Sequence, residues 1–270
     1  MRGRRSTGWR RIAAALWSSP GDPQIFGALE VDAAPIRAFL DAARQAGRHL
    51  TPTHLVGRAI AHALQAVPEI NVQLRGGRLI PRDGIDIFFI VAVAAGQDLS
   101  GVKVANVDQR SAVEVADELS GRGRRLKAGS DPDFARTKQL MNALPPRLLR
   151  LVMRASAFVT NDLRREVPAL GLRRTPFGSA MVSSVGMLGL PHGFAPLAWM
   201  YDVPLLVLVA EITPRPAVVD GLVVARDVLP ITATIDHRYV DGFHVSRLMA
   251  AFRAYLADPA RHEPALTPPP

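Results

Sequence analysis

His237 is followed four residues later by Asp241 and then by Gly242, within the stretch Asp236-His-Arg-Tyr-Val-Asp-Gly-Phe-His-Val245. An imidazole titrates near neutral pH. It can therefore take a proton from a weak nucleophile, a hydroxyl or a thiol, as that group attacks an acyl carbon. The same spacing also suits a satisfied structural histidine, so the motif alone leaves both roles open. The chain contains no cysteine. That removes disulfides, thiolate metal sites and a cysteine nucleophile, so acyl transfer would have to be direct or pass through an oxygen.

Such an imidazole is useful only if rigid elements hold it. Val228–Ile235 reads as a buried strand and Phe243–Leu256 as an amphipathic helix, which places His237 at the turn between them. Upstream, Gln24–Val31 predicts a strand, and Asp32 a cap for a helix over Ala33–Ala46 that stops at Gly47. Thr51-Pro52 opens a helix over Thr53–Ala66. Strands are expected near Val72–Leu74 and Arg78–Ile80. The apolar run within Asp86–Ala94 predicts a central strand buried on both faces, followed by a shorter one at Val102–Asn106. Ser111-Ala-Val-Glu114 is a capping box. Strands return at Ala180–Val185 and Val203–Ile212, with a hairpin turning at Asp220-Gly221.

The segment Asp131–Arg174 is atypical. It predicts helices over Phe134–Ala143 and Arg147–Thr160, besides a short helix at Trp9–Trp17 near the N-terminus. In the helix from Arg147, three arginines (Arg147, Arg150, Arg154) lie opposite Leu148, Leu151, Val152 and Phe158. The expectation is a helix packed on the domain with solvated arginines; a lid over the acceptor site or contact with a membrane surface are the alternatives.

Hydrophobic residues make up 48% of the 270, enough for a sizeable core. The formal charge of +9 comes from 33 basic residues, of which only Lys103, Lys127 and Lys138 are lysines. Basic clusters at Arg2–Arg5, Arg122–Lys127 and Arg173–Arg174 lack interleaved aromatics, which argues against a nucleic-acid partner. The apolar run Ile12–Trp17 is too short for a signal sequence, and no stretch approaches the ~20 apolar residues of a membrane span. A cytoplasmic location is expected. His49, His54, His62 and His262 show no ligand set, so no metal is expected, and His192 and His244 are not read as catalytic. The domain is expected to span residues 9–258, after a basic extension at 1–8, with the insertion at about 131–174 and a flexible tail at 259–270.

With the motif on strand, turn and helix, the chain resembles the catalytic domain of the dihydrolipoyl acyltransferases of 2-oxoacid dehydrogenase complexes, which are related to chloramphenicol acetyltransferase. Asp-His-Arg-x-x-Asp-Gly at Asp236–Gly242 matches that family's signature. Ala180-Met-Val-Ser-Ser-Val-Gly-Met-Leu-Gly189 and Pro68-Glu-Ile-Asn71 match two further segments, in order. The resemblance implies an α/β fold, a chloramphenicol acetyltransferase-like mixed β-sheet flanked by helices in one domain. It also implies a homotrimer with active sites between subunits and coenzyme A as carrier of the acyl group; unlike the complex-forming members, this chain is expected to carry no lipoyl group. His237 would then be the general base, and Ser183, from a neighbouring subunit, would donate to the oxyanion, with Ser184 as its competitor. Ser184 and Gly242 are the residues expected near the coenzyme. Asp241 would brace the site by holding an arginine, Arg10 or Arg11.

Departures from the family pattern at Gly96–Asn106, Asp131–Arg174 and the C-terminus leave three readings. The preferred one is a stand-alone acyltransferase acting on a small hydroxyl or thiol acceptor. The others are a dihydrolipoyl acyltransferase served in trans by a separate lipoyl protein, and a non-catalytic scaffold or surface-binding protein that kept the fold.

Overall fold

The computed structural model describes residues 22–75, 78–93, 98–127, 145–163, 165–167, 175–198 and 201–268. The helices expected at Trp9–Trp17 and Phe134–Ala143 lie outside them. The elements are β1 (Gln24–Asp32), α1 (Ala34–Gln45), α2 (Pro52–Ala66), β2 (Val72–Arg75), β3 (Arg78–Pro81), β4 (Ile87–Val93), β5 (Asp98–Val104), α3 (Ala112–Lys127), α4 (Pro146–Ala157), β6 (Ala180–Ser184), β7 (Leu205–Val209), β8 (Thr213–Val219), β9 (Leu222–Asp236), α5 (Gly242–Ala257) and α6 (Pro259–His262).

Seven strands form one mixed sheet in the order β1-β9-β7-β6-β4-β5, with β8 paired to the first half of β9. β6 runs parallel to both β4 and β7, and the other pairings are antiparallel. The two-fold alternation of side chains along β9 puts Leu229 and Ile231 into the main core, under α2 and α5. Thr232 and Thr234 point to the other face, where their hydroxyls donate to the Gly193 and Ala195 carbonyls. Central β6 is buried on both faces: Val182 joins the main core and Met181 a smaller cluster with Leu206 and Val203.

Sequence signals and structure differ where the backbone turns left-handed. The strand expected at Val102–Asn106 ends at Val104, because Asn106 adopts φ 50°. The strand expected from Val203 starts at Leu205, since Asp202 has φ 53° and Pro204 has no amide to donate. The β8–β9 hairpin turns on Asp220 (φ 50°) and Gly221 (φ 80°), both in the left-handed region that a tight two-residue turn requires.

Residues 259–268, expected to form a flexible tail, pack against the body. Glu263 is buried; it accepts from the Tyr255 hydroxyl at 2.5 Å and the Ala112 amide at 2.6 Å, and it pairs with Arg58 at 3.2 Å. Arg48 donates to the Thr267 and Pro268 carbonyls. Burial and the adjacent Glu263 carboxylate both raise the Tyr255 phenol far above its ordinary value. Removing Glu263 strands the Arg58 charge, whose side chain is only 11% exposed. Glu263→Ala is therefore expected to lower the unfolding free energy by about 3–5 kcal/mol in urea titrations.

Two helices are capped with a histidine at the third position. In α2 the Thr51 amide donates to His54 Nδ1 at 3.2 Å, which requires a neutral ring. Burial pushes His54 down to about 4, against a weaker opposing pull from Asp117. The unfolded chain therefore binds the proton first as pH falls from 6.5 towards 4. Stability should drop by about 1–3 kcal/mol across that window, and a His54→Asn variant should lose this part of the slope in denaturation measured at each pH.

Candidate active site

The strand β9 ends in a turn that is pinned backbone-first. The Asp236 amide donates to the Pro204 carbonyl and the His237 amide to the Pro23 carbonyl, both at 2.9 Å. These bonds continue the pairing of β9 with β7 and β1 one step past the regular ladder. Asp236 is buried, and its carboxylate takes the Arg238 amide at 3.0 Å and the Arg238 guanidinium through Nε and Nη2. That charge-assisted fork raises the Arg238 guanidinium above its usual range.

The far side of the turn is held by a second carboxylate. Tyr239 is buried, and its hydroxyl donates to Asp202 Oδ1 at 3.0 Å, while Gln73 Nε2 donates to Oδ2 at 2.9 Å. Arg82 donates to the Asp202 backbone carbonyl. Burial first, and then the Asp202 charge, push the Tyr239 phenol up to about 12. Between these two anchors His237 is exposed, and among the described residues no side chain hydrogen-bonds its ring.

Asp241 does not touch His237. It caps α5, accepting from the His244 amide at 3.1 Å and pairing with His244 Nδ1 at 2.7 Å. Those bonds, the backbone one first, hold its carboxyl below the usual carboxylate range. A triad is thus not formed within the chain, and His244, read from the sequence as a bystander, is the partner of Asp241. The signal was present: an aspartate followed by a hydrogen-bonding residue three positions on, before an apolar run, has the spacing of a capping box. The arginine candidates Arg10 and Arg11 lie outside the described residues. Among the described residues, a Cβ at Gly242 would meet nothing within 4 Å.

Ser183 and Ser184 close β6, opposite Leu208 and Val209 of β7. Alternation separates them. Ser183 shares its face with Met181 and Ser184 with Val182, so they serve opposite sides of the sheet. Both are half-buried, and among the described residues neither hydroxyl has a hydrogen-bond partner. Gly186 sets the turn that follows. A Cβ there would sit 2.6 Å from the Ala210 carbonyl carbon and oxygen, so the backbones meet only because that atom is missing.

The register places the serine and the histidine far apart. His237 lies beyond Ile235, which faces Leu205 at the start of β7, whereas Ser183 faces Leu208 towards its end. Five strand residues and two inter-strand steps separate them by roughly 20 Å. The two side chains therefore do not meet within one chain.

The third segment acts as a brace. Glu69 accepts from Arg247 of α5 at 2.8 Å, and that bond lowers its carboxyl. Asn71 donates to the Gly84 carbonyl at 3.1 Å. Two clefts open nearby. One, of about 390 Å³, shares Gln73 and Arg82 with the Asp202 network and also contains Lys103. The other, of about 370 Å³, lies between His54, Arg124 and Ile90, the last being the register partner of Ser183. Among the described residues no cluster of three His, Asp or Glu side chains suits a metal.

The model of the 2-oxoacid dehydrogenases acyltransferase (catalytic domain) family matches residues 4–131 and 172–262. The chain belongs to this family. Its similarity to the lipoamide acyltransferase component of the branched-chain alpha-keto acid dehydrogenase complex of Bacillus subtilis is 22% identity over 240 residues. That alignment covers 87% of the chain and 46% of the relative, so the chain spans about half the length of that acyltransferase component. Among solved structures, the dihydrolipoamide acetyltransferase of Azotobacter vinelandii superposes with TM-score 0.65 at 23% identity, covering 89% of this chain and 84% of that one. Chloramphenicol acetyltransferase gives TM-score 0.50 at 16% identity, over 87% and 89%. The acyltransferase family fold is therefore the mixed sheet flanked by helices described above.

Asp202 is the testable anchor of this acyltransferase-family turn. Asp202→Ala leaves the Tyr239 hydroxyl and the Gln73 amide without their acceptor and should cost about 1–3 kcal/mol in chemical denaturation. Asp202→Asn keeps the shape but removes the charge. Tyr239, pushed up to about 12, should then titrate lower in an ultraviolet absorbance titration.

Proposed function

We propose that the chain is a coenzyme A-dependent acyltransferase whose active sites lie between the subunits of a homotrimer. One observation carries this reading. The turn after β9 offers an exposed imidazole held on both sides, while the free serine hydroxyl of the same chain sits at the other end of the sheet. A ring of subunits related by rotation brings the histidine end of one chain to the serine end of the next.

In this reading His237 takes the proton from the hydroxyl or thiol of the acceptor as its oxygen or sulfur attacks the thioester carbonyl of acyl-coenzyme A. Ser183 of the neighbouring subunit donates its hydroxyl hydrogen to the oxyanion of the tetrahedral intermediate. The intermediate collapses with loss of the coenzyme A thiolate, which takes the proton back from the imidazolium. General-base catalysis of this kind contributes ~10²–10⁴-fold and one oxyanion donor ~10²–10³-fold. The catalytic mechanism of the Azotobacter vinelandii enzyme has been investigated at a serine, a histidine and an asparagine, the last two at the interval that separates His237 from Asp241. An asparagine oxygen can still accept from a helix amide, so the capping role of Asp241 is compatible with either residue. A non-catalytic scaffold gives no reason for an unpaired ring on so firmly held a turn.

A second reading, a lipoyl acceptor presented by a separate protein, is favoured by the Bacillus subtilis relative, which is a lipoamide acyltransferase component. Incubation with acetyl-coenzyme A and either dihydrolipoamide or a panel of alcohols, following free thiol, separates the two. His237→Ala should lower kcat ~10²–10⁴-fold and Ser183→Ala ~10²–10³-fold. Co-expressed His237→Ala and Ser183→Ala chains should regain activity, because at equal expression about a quarter of all sites, one in each mixed trimer, are intact. Full activity in His237→Ala, or no rescue in mixed trimers, would sink the shared site.

A further inference from the structure

The helix α4, Pro146–Ala157, lies in the part of the chain between residues 131 and 172 that the family model leaves unmatched. Its expected packing is not observed: the apolar face points to solvent. Leu148, Leu151 and Val152 are 45%, 63% and 40% exposed, Ala155 is exposed beside them, and Phe158 follows at 55%. The spacing i, i+3, i+4, i+7 makes Leu148, Leu151, Val152 and Ala155 one stripe along the helix. Arg147, Arg150 and Arg154, also exposed, form the adjoining stripe. Met153 and Ser156 are less exposed, and the Ser156 hydroxyl donates back to the Met153 carbonyl at 2.9 Å. Residues 145–161 contain no carboxylate.

We propose that α4 docks the protein on an anionic phospholipid surface, lying flat with its leucine stripe in the acyl boundary and its three arginines on lipid phosphates. The chemistry of both stripes is satisfied together only there. A nucleic acid would engage the arginines but leave the leucines in water. A second copy of α4 would cover the leucines but brings no carboxylate to the arginines, and one 12-residue helix supplies much less area than a stable interface of about 1,200–2,000 Å². Spanning is excluded for α4: at about 18 Å it is shorter than the ~30 Å hydrocarbon core. Among the described residues no helix is long and apolar enough to cross a membrane. Guanidinium groups suit the phosphates because their planar fork binds two oxygens at once. Each basic residue near an anionic surface gains about fivefold in binding.

Flotation of the full chain with phosphatidylcholine vesicles, with and without phosphatidylserine, tests this. Binding is expected only with phosphatidylserine, and high salt should weaken it. The variant R147Q/R150Q/R154Q should bind about a hundredfold more weakly, and L151E about tenfold more weakly. These side chains are exposed, so circular dichroism, thermal midpoint and acyl transfer to a small acceptor should stay as in the parent chain. No binding to phosphatidylserine vesicles, equal binding to both vesicle types, or binding untouched by both variants overturns the proposal. Self-association that L151E abolishes, without vesicle binding, overturns it as well and assigns the stripe to a second copy.

Discussion

Two carboxylates fix the conformation on which everything else depends. Asp236 holds the Arg238 side of the turn and Asp202 holds Tyr239, so the backbone of His237, flanked by Asp236 and Arg238, is held while its side chain is displayed. Each carboxylate is itself constrained. Asp236 is buried at the strand end with its amide on Pro204, and Asp202 is gripped by Gln73 and by Arg82 through its carbonyl. An unpaired carboxylate in such a place would be costly, so the network holds together or fails together. The network thus holds the backbone that carries the exposed imidazole.

The sheet topology then decides what that imidazole can work with. Because β7 is antiparallel to β9 but parallel to β6, the ends of β9 and β6 point to opposite edges of the domain. The histidine and the serine are both presented, and they are presented apart. In the proposed trimer, rotation of whole subunits joins the two ends with no need for movement inside the domain. The helices contribute by anchoring the frame. Arg247 of α5 reaches Glu69 after α2, and the C-terminal Glu263 ties Tyr255 and Arg58 to the start of α3.

The helix α4 obeys a different logic from this frame. Elsewhere apolar stripes are paired: α2 packs on β4, β6 and β7 and α5 on α2 and β1, and Ile60, Leu64, Phe252 and Leu256 join the main core. In α4 an equally regular stripe stays in water beside a row of arginines. The same periodicity thus marks a buried face in one helix and a displayed one in another. Net charge separates the two cases, since a core-facing helix has no use for a one-sided cationic flank.

Much of the fold could be read from residue order. Alternation and apolar runs located β1, β4 and β9, proline and glycine located the turns, and Thr51 and Ser111 were recognisable as caps because capping needs only local spacing. Asp32, also expected to cap, sits one residue before the N-cap Ala33 and accepts from the Ala34 amide at 2.8 Å. The His237 turn was legible for the same reason, as strand, polar turn and amphipathic helix in succession. What remained hidden depended on distant groups. Gln73, Arg82, Asp202 and Tyr239 come from three separate regions and meet only when β9 lies beside β7. The burial of Glu263 depends on what α5 packs on. Whether the leucines of α4 are covered is likewise a fact about neighbours. Sequence sets periodicity and chemistry along one dimension; strand direction and packing alone determine which of those groups meet.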